Sequence, residues 1–378
     1  MQNVTLRNTA EETYSLYIHF PFCIRKCPFC PIKTVPYSAE SASAYVTALK
    51  SEIAWVLKSA KYRGVKVDCI HFGGGTPSLL KVSELDSILN MIRKFTDIEE
   101  SEVVFEVHPK FMTDGLLSYL SGLKYSTVNL GVQSFNDAVL CSMNRYYRKD
   151  DILRMIEKAK CMVHAVGIDY ICGWSDSDLK DLENDFIYIK QIKPDHISQY
   201  PLYIHSTCID DSNEIDKIKL NAVFESFLTD MGYRRYSVFH YENGEIISHK
   251  YGRMQLNGGK WIGFGAGAYT YLGNIMCMNA HVPEYLKGNF VSMEDRLDDM
   301  GRFLWEFLFL LRTTSVSREN IIRKYGRAIE SDLDSLIRKL LDYDYIKSMQ
   351  DMNLTWKGII HLNYVEQIVT SIFLKDDN

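Results

Sequence analysis

CIRKCPFC, residues 23–30, is the most informative stretch of this chain. It holds Cys23, Cys27 and Cys30 in the spacing C-x3-C-x2-C. A closed zinc site uses four ligands, so three thiolates without a fourth indicate a metal centre with one open position. A cubane iron–sulfur cluster bound by three cysteines leaves one iron free for a substrate or cofactor. A zinc site completed by a distant histidine is the alternative interpretation.

The position of this loop is informative as well. It directly follows an apolar segment, Tyr14–Phe20, that reads as the first strand. A metal-binding loop at the carboxyl end of a strand is where barrel enzymes build their active sites. Pro28, Phe29 and Pro31 make the loop apolar, which suits it to shield a cluster from water.

Short apolar runs alternate with amphipathic stretches over the first two-thirds of the chain. The predicted strands are Tyr14–Phe20, Val67–Phe72, Val103–Val107, Thr127–Val132, Val166–Ile171, His196–Tyr200 and Arg235–His240. The predicted helices between them are Ser43–Lys58, Val82–Phe95, Leu116–Leu123, Asp151–Met162, Leu179–Ile192 and Lys217–Met231. Repeated βα units of this size predict an α/β fold with a parallel sheet covered by helices. Six units form a partial (β/α)6 barrel, with the active site at the carboxyl ends of the strands.

The pattern changes near residue 290, and the rest of the chain reads as mainly helical. Three helices are predicted at Met300–Leu311, Glu319–Tyr325 and Leu333–Leu341, followed by a small hairpin turning at Gln350–Asp351 and a last helix at Lys357–Phe373. This combination resembles a winged-helix arrangement. We therefore predict two domains, a barrel with an extension at residues 1–290 and a helical, winged-helix-like domain at 291–378.

Composition limits the classes of function. The chain has 378 residues, is 46% apolar and 24% charged, and carries a net charge of −5, which argues against broad electrostatic binding of nucleic acid. The first residues have no apolar signal region, and the most apolar later stretch is too short to span a bilayer. We expect a cytoplasmic protein, whose nine cysteines are free thiols or metal ligands.

A second motif, HFGGGTPSLL, follows the second predicted strand at residues 71–80. Its three glycines permit close approach of a ligand to the backbone and conformations with positive φ that bind anions. The run matches neither the dinucleotide-binding fingerprint nor the phosphate-binding P-loop, because the required later residues are absent. Taken alone, it is equally compatible with a bare tight turn.

Together, the cysteine loop after strand one and GGGTP after strand two resemble the radical S-adenosylmethionine (SAM) superfamily. Further stretches narrow the resemblance: LYIHFPFCIRKCPFC (16–30), FEVHP (105–109), VNLGVQSF (128–135), GIDYICG (167–173) and IGFGAGAY (262–269). In this order they resemble the oxygen-independent coproporphyrinogen III oxidase family, including its heme-chaperone and class C methyltransferase-like branches. The similarity runs over nearly the whole chain.

The resemblance implies a 4Fe-4S cluster on the three cysteines, SAM bound to its free iron and an electron donor of the flavodoxin or ferredoxin type. The implied contacts to this SAM are Tyr17, Gly74 and Glu106, with Phe29 packing on its adenine and the backbone of Tyr269 nearby. The implied contacts to a second SAM are Gly75, Thr76, Gln133, Arg145, Asp169 and Tyr203. Arg145 suits the carboxylate of that second SAM, and Asp169 suits its amino group or ribose.

Some of these residues also have purely structural interpretations. Tyr17 could be a core residue, Gln133 could satisfy barrel backbone groups, and Arg145 in MNRYYRKDD could be a solvated charge. A buried, unpaired carboxylate at Glu106 is harder to explain without a ligand, because burying such a charge is costly. Asp169 lies between two apolar residues of a strand and should therefore point inward.

The chain departs from its family at two places. The oxidase has another cysteine two residues after the third cluster ligand, where this chain has Ile32. The heme-chaperone branch usually carries His-Asn-x-x-Tyr-Trp before a Gly-Gly pair, where this chain reads YGRMQL at 251–256. His249 lies close to that window and is a candidate for a heme ligand.

These departures favour transfer of a methyl or methylene group from the second SAM to an unsaturated or aromatic carbon. The substrate would be planar: a quinone, a heteroaromatic compound or a tetrapyrrole. Tyr170, Tyr203 and His240 are candidates for removing a proton from the adduct. The alternatives are propionate decarboxylation in anaerobic porphyrin synthesis and a non-catalytic heme carrier. DNA binding by the C-terminal region is disfavoured, because no sustained basic face is present.

Overall fold

Strands and helices alternate as the periodicity predicted. The computed structural model describes residues 13–59, 65–174, 179–201, 214–244, 246 and 248–374. Its strands are β1 (Thr13–Phe20), β2 (Phe22–Cys23), β3 (Val35–Pro36), β4 (Lys66–Gly74), β5 (Glu102–Val107), β6 (Tyr125–Gln133), β7 (Ala165–Cys172), β8 (His196–Pro201), β9 (Arg234–Arg235), β10 (His240–Glu242), β11 (Lys260–Phe264), β12 (Tyr269–Tyr271), β13 (Ile275–Asn279) and β14 (Val291–Arg296). Its helices are α1 (Ala39–Leu57), α2 (Val82–Arg93), α3 (Asp114–Ser121), α4 (Asp137–Ser142), α5 (Lys149–Lys160), α6 (Leu179–Ile192), α7 (Glu214–Asp230), α8 (Lys250–Leu256), α9 (Val282–Tyr285), α10 (Asp299–Leu310), α11 (Arg318–Tyr325), α12 (Glu330–Asp342), α13 (Trp356–Ile360) and α14 (Leu362–Leu374).

One large sheet organises the first part of the molecule. Strands β1, β4, β5, β6, β7 and β8 pair in parallel in that order, and helices lie between them in sequence. This is the predicted partial (β/α)6 barrel. β11 adds in parallel to the free edge of β1, and β12, β13 and β14 extend that edge in antiparallel fashion.

Side-chain periodicity explains how these elements pack. Helix α1 begins at Ser38, whose hydroxyl accepts a hydrogen bond from the N–H of Ser41 (3.1 Å). Its residues Tyr45, Leu49 and Ile53 are fully buried on one face. On the strands, successive side chains point alternately to the helices and to the barrel interior. The apolar set packs under the helices, and the polar set is therefore concentrated inside the barrel.

The predicted strand Arg235–His240 is wrong. The segment instead forms two short strands, β9 and β10, that are antiparallel to each other, and β10 is antiparallel to β8. The hydroxyl of Ser237 accepts hydrogen bonds from the N–H groups of Phe239 and His240 (both 3.2 Å). The side chain thus replaces ladder hydrogen bonds and turns the chain between the two strands.

The C-terminal part is helical, as predicted, and has its own apolar core, built mainly from α10, α12 and α14. The expected hairpin is reduced to an antiparallel bridge between Ile346 and Leu354. The last predicted helix is divided at His361 into α13 and α14. Residues 291–296, which we had assigned to the second domain, form β14 at the edge of the large sheet. Within the described ranges, none of the helices has the length and apolar character needed to cross a bilayer.

A buried carboxylate connects α1 to the loop after β11. Glu52 is 2% exposed and accepts hydrogen bonds from the N–H of Gly265 (2.8 Å), from Asn279 Nδ2 (2.6 Å) and from the Tyr285 hydroxyl. Burial raises the pKa of Glu52 to about 7, although these three donors act in the opposite direction. The Gly265 loop packs against the end of β1, where the cysteine loop begins, so this network supports the candidate site from behind.

Glu52 should make stability depend on pH. Between the ordinary glutamate pKa of 4.5 and about 7, the folded protein retains a proton that the unfolded chain has lost. Stability should therefore fall as pH rises through this window. Above about pH 7, the titration of Glu52 should cause no further change. The free energy of unfolding of the wild type, relative to Glu52→Gln, should be up to about 3 kcal/mol higher at pH 5 than at pH 7.5. Urea unfolding at both pH values measures this, with Glu40→Gln, an exposed position on the same helix, as the control. If the difference in unfolding free energy between the wild type and Glu52→Gln were the same at both pH values, the raised pKa of Glu52 would be refuted.

Candidate functional site

A cavity of about 180 Å³ opens at the carboxyl ends of the central parallel strands. It is lined by Cys23, Arg25, Lys26, Cys27, Cys30, Thr34, Gly74, Gly75, Thr76, Pro77, Glu106, Val107, His108, Asn129, Gly131, Gln133, Arg145 and Asp169. Ten of the residues predicted from sequence are in this lining: the three cysteines, Gly74, Gly75, Thr76, Glu106, Gln133, Arg145 and Asp169. The fold thus brings together segments that are up to about 150 residues apart in sequence.

The cysteine loop is held at its base by backbone hydrogen bonds. The N–H of Val35 donates to the carbonyl of Pro21 (2.9 Å), and the N–H of Tyr37 donates to that of Cys23 (3.0 Å). All three cluster cysteines are partly exposed to the cavity. Across the described part of the chain, no three His, Cys, Asp or Glu side chains are grouped around a point for one metal ion. A cubane cluster binds each thiolate through a different iron, so three thiols sharing one cavity wall fit such a group.

The glycine loop is bonded directly to the cysteine loop. The N–H of Gly75 donates to the carbonyl of Phe20 (2.7 Å), and the N–H of Thr76 donates to that of Phe22 (2.9 Å). The Thr76 hydroxyl lies 3.2 Å from the sulfur of Cys23. A Cβ on Gly75 would lie 2.6 Å from the carbonyl oxygen of Phe22. Gly75 is therefore needed for the close contact between the glycine loop and the cysteine loop. This requirement holds whether or not the glycine loop also binds a ligand.

Glu106 is held in place by the neighbouring strands. Its Oε1 lies 2.9 Å from Nε2 of His71 on β4, and its side chain remains 35% exposed. A Cβ on Gly73 would lie 2.7 Å from that same oxygen, so a glycine makes room for the carboxylate. Tyr17 lies beside this pair, where burial and the Glu106 carboxylate raise the pKa of its hydroxyl well above its usual value. The arrangement leaves a partly exposed carboxylate facing the cavity.

Asp169 is the second inward carboxylate. It accepts a hydrogen bond from Asn129 Nδ2 (2.9 Å), while burial and the nearby Glu106 raise its pKa to about 6. Asn129 Oδ1 and Nε2 of His249 have no hydrogen-bond partner within the described ranges. Both atoms face the space beside Gly167. His249 is only 7% exposed and its ring stacks on His196 with centroids 3.7 Å apart, so it is not accessible as a surface heme ligand.

Gln133 and Arg145 meet at the end of β6. The strand has an irregularity between Gly131 and Gln133, and Gln133 takes a φ of 71°, a conformation that non-glycine residues rarely adopt. A Cβ on Gly131 would lie 3.1 Å from Gln133 Nε2 and 3.6 Å from Arg145 Nη2. Arg145 Nε is buried without a partner among the described residues. The bulge redirects the glutamine amide toward the arginine at the cavity wall.

Some predicted residues lie elsewhere. Phe29 is outside the lining and packs edge to face on Trp174 (5.9 Å), which is 8% exposed and therefore a packing residue. Tyr269 is 45% exposed on β12, and its carbonyl accepts from Trp261 Nε1 (2.9 Å). Tyr203 lies outside the described residues.

The proton-handling role predicted for Tyr170 and His240 is not supported by their positions. The Tyr170 hydroxyl donates to Asp185 on α6 (2.8 Å), and its ring stacks on Phe224 of α7. It follows the inward Asp169, so strand alternation points it toward the helices. His240 lies 2.7 Å from the Ser237 hydroxyl, outside the cavity lining, and burial lowers its pKa to about 4.

Sequence reasoning missed His71, Asn129 and His108. The first two lie on inward-facing positions of β4 and β6, and His108 directly follows β5. Alternation would have identified Asn129, since it lies two positions from Gly131 and four from Gln133 on the same strand face. His71 and His108 belong to the quoted motifs HFGGGTPSLL and FEVHP. Their roles were overlooked because nothing local shows which carboxylate or cavity they approach.

Comparison with known proteins agrees with this geometry. The model of the radical SAM superfamily matches residues 17–186. The heme chaperone HemW of Buchnera aphidicola from Schizaphis graminum is 27% identical, covering 94% of this chain and 97% of the relative. The oxygen-independent coproporphyrinogen III oxidase of Escherichia coli K12 is 25% identical, covering 82% and 71% respectively. The structure of coproporphyrinogen III oxidase from Escherichia coli superposes with a TM-score of 0.79 at 19% identity, covering 95% of this chain and 90% of that one, which supports the fold.

The barrel and its cysteine-lined cavity are those of a radical SAM protein. The superfamily match and the two relatives support placing the chain in the radical SAM superfamily, with the oxygen-independent coproporphyrinogen III oxidases and heme chaperones. This confirms the resemblance inferred from the motifs. This placement implies a 4Fe-4S cluster and SAM as cofactors.

Proposed function

We propose that this chain is a radical SAM enzyme that acts on a tetrapyrrole, removing carboxyl groups from propionate side chains as coproporphyrinogen III oxidases do. The observation that carries the proposal is the shared cavity, which is lined by the three cysteines, by Glu106 and by Arg145 and Asp169. The names of the relatives support tetrapyrrole chemistry. They do not support the methyl transfer that the sequence favoured, because the relatives named above are oxidases or heme chaperones.

Each residue has a defined task in this mechanism. Cys23, Cys27 and Cys30 would hold the cluster, which would supply an electron for the reductive cleavage of SAM. Glu106, which His71 holds in place, would accept a hydrogen bond from the amino group of SAM. Arg145 would pair with a carboxylate. Its buried Nε has no hydrogen-bond acceptor among the described residues and could donate to that carboxylate.

Asp169 and Gln133 extend the polar wall away from the cysteines. We propose that, with Gly75 and Thr76, they hold a second SAM, as the family resemblance implies. The Asn129 amide donates to Asp169 and thereby stabilises its charged form, which is the form that accepts from an amino group.

The test is an anaerobic assay of the cluster-loaded protein with SAM, a reductant, coproporphyrinogen III and an electron acceptor, which takes the electron that the substrate radical releases with each carbon dioxide. We expect 5′-deoxyadenosine, carbon dioxide and vinyl-bearing product to form together, with Asp169→Asn as the comparison variant showing a clear loss. Methyl-deuterated SAM should leave the product unlabelled. Deuterium in the product would restore the methyl-transfer interpretation, and absence of carbon dioxide would refute decarboxylation.

Heme carriage is the second candidate, favoured by the near full-length match to a heme chaperone. The buried position of His249 and the sequence YGRMQL in place of the usual motif count against it. Ile32, where the oxidase has a cysteine, counts against decarboxylation in the same way, so the two assays decide between the candidates. Titration with heme followed by transfer to an apo-cytochrome tests it. Low-micromolar binding with transfer, and no decarboxylation, would favour this candidate.

A further inference from the structure

A second cavity of about 250 Å³ lies beside the candidate site. Its lining residues are Ile24, Arg25, Cys27, Thr76, His108, Lys110, Phe111, Asn144 and Tyr146. Arg25, Cys27, Thr76 and His108 line both cavities. A molecule bound in the second cavity would therefore be in contact with the wall that holds the cluster cysteines.

Tyr146 is placed between two cations in this cavity. Arg25 Nη1 donates to the Tyr146 hydroxyl (2.5 Å), and the guanidinium carbon lies 5.0 Å from the ring centroid. Lys110 Nζ lies 5.6 Å from the same centroid. The tyrosine is nevertheless 52% exposed. The two cations are thus held at the mouth by the aromatic ring while their remaining donors stay accessible.

The charge at this mouth is not balanced locally. Among the described residues, Arg25 and Lys110 of this cavity form no ion pair with a carboxylate, and neither do Lys26 and Arg145 of the adjoining cavity. Many other cations do form one, such as Arg318 with Glu330 and Asp334. The carboxylates of the adjoining cavity, Glu106 and Asp169, are in its inner wall. A chain with a net charge of −5 therefore has unpaired positive charge along the walls of two adjoining cavities.

The same opening exposes apolar surface. Ile24 is 51% exposed, and Phe111 packs against His108 with ring centroids 5.0 Å apart. Apolar and aromatic walls with a few cations at the rim suit a ligand with a flat apolar body and anionic groups at its edge. Concave shape at this volume favours such a small molecule over the surface of an acidic electron-donor protein.

We propose that this second cavity binds the non-reacting edge of the substrate, an apolar planar molecule carrying at least two carboxylates. Arg25 and Lys110 pair with carboxylates, and Tyr146 and Ile24 contact the apolar body. The inference rests on the proposed tetrapyrrole function and adds the residues that select for free carboxylates. Because Arg25 and Cys27 line both cavities, a molecule bound here borders the cavity that contains the three cysteines.

The test measures binding of coproporphyrin III, a stable tetracarboxylate, and of its tetramethyl ester to the cluster-loaded protein with SAM, by fluorescence. The variant is Arg25→Gln with Lys110→Gln. The control is Lys66→Gln with Lys94→Gln, which removes the same charge from exposed positions at the start of β4 and just after the end of α2. Affinity for the free acid should fall at least about tenfold in the variant and stay unchanged in the control. Iron content, measured for both, should match the wild type.

The outcomes separate the inference from the function on which it rests. Equal loss of affinity for acid and ester, or no loss for either, overturns the carboxylate site while tetrapyrrole binding stands. If the Arg25→Gln, Lys110→Gln variant binds porphyrin normally but its cluster is reduced more slowly by flavodoxin, this surface contacts the electron donor. That result would also overturn the carboxylate site. If the wild type binds neither coproporphyrin III nor heme, the proposed function itself fails.

Discussion

Replacement of Cys27 by serine is expected to abolish formation of 5′-deoxyadenosine. The thiol lies in the wall of the site cavity together with those of Cys23 and Cys30. Serine offers a harder oxygen donor in place of the soft thiolate that iron–sulfur clusters require. After anaerobic reconstitution, the variant should have much less cluster iron than the wild type. SAM cleavage should fall roughly 100-fold or more, because the open iron that binds SAM depends on all three ligands.

Cys161→Ser is the matched control. Cys161 is exposed at the end of α5, next to the amino-terminal end of β7 and so on the opposite side of the barrel. The Cys161→Ser variant should retain the iron content of the wild type and its rate of SAM cleavage. Iron and sulfide analysis, absorption spectra and chromatography of the nucleoside product measure both variants. A Cys27→Ser protein with normal iron content and normal cleavage would refute the assignment of the cluster ligands.

Gly75→Ala is expected to damage both stability and cofactor binding. An added Cβ would lie 2.6 Å from the carbonyl oxygen of Phe22 and 2.9 Å from that of Phe20. These are backbone atoms at the start of the cysteine loop, so they cannot rotate away as a side chain can. The substitution should cost at least about 2 kcal/mol of unfolding free energy, typical of severe overpacking. Displacement of the loop should also lower the cluster content.

Gly115→Ala provides the opposite expectation. Gly115 lies in the first turn of α3, and a Cβ there would meet only a methyl group of Val82, at 4.0 Å. Alanine at this position should leave stability unchanged or raise it by up to about 1 kcal/mol, because it reduces the entropy of the unfolded chain. Urea unfolding of both variants and iron analysis give the comparison. Equal stability of the two would show that the contact between the glycine and cysteine loops is not tight.

The regular part of the fold could be predicted because its signals are local. Apolar residues such as Leu85, Ile88 and Ile92 recur at helical spacing in α2, and these are buried in the structure. The strands of the barrel were identified for the same reason, with ends displaced by only a few residues. Prediction failed at Arg235–His240, where the hydroxyl of Ser237 bonds to nearby backbone N–H groups and turns the chain.

The candidate site was predicted through motifs, and its limits have a physical cause. Motifs identify residues near a ligand, but they do not say which other groups hold those residues in place. His71 beside Glu106 and Asn129 beside Asp169 are contacts between neighbouring strands, formed by residues 35 and 40 positions apart. Tyr170 was misplaced because the motif GIDYICG names a segment, whereas strand alternation decides which of its side chains face inward.

The sequence by itself determined the alternation of strands and helices, the three thiols at C-x3-C-x2-C spacing and the resemblance to radical SAM proteins. These features depend on short periodicities and spacings that a linear chain displays directly. Only the tertiary structure decided that the glycine loop is packed on Phe22, that Arg25 and Lys110 share a cavity with Tyr146, and that His249 is buried. Those arrangements arise from contacts between distant segments, where the free energy depends on packing and burial that no local pattern records.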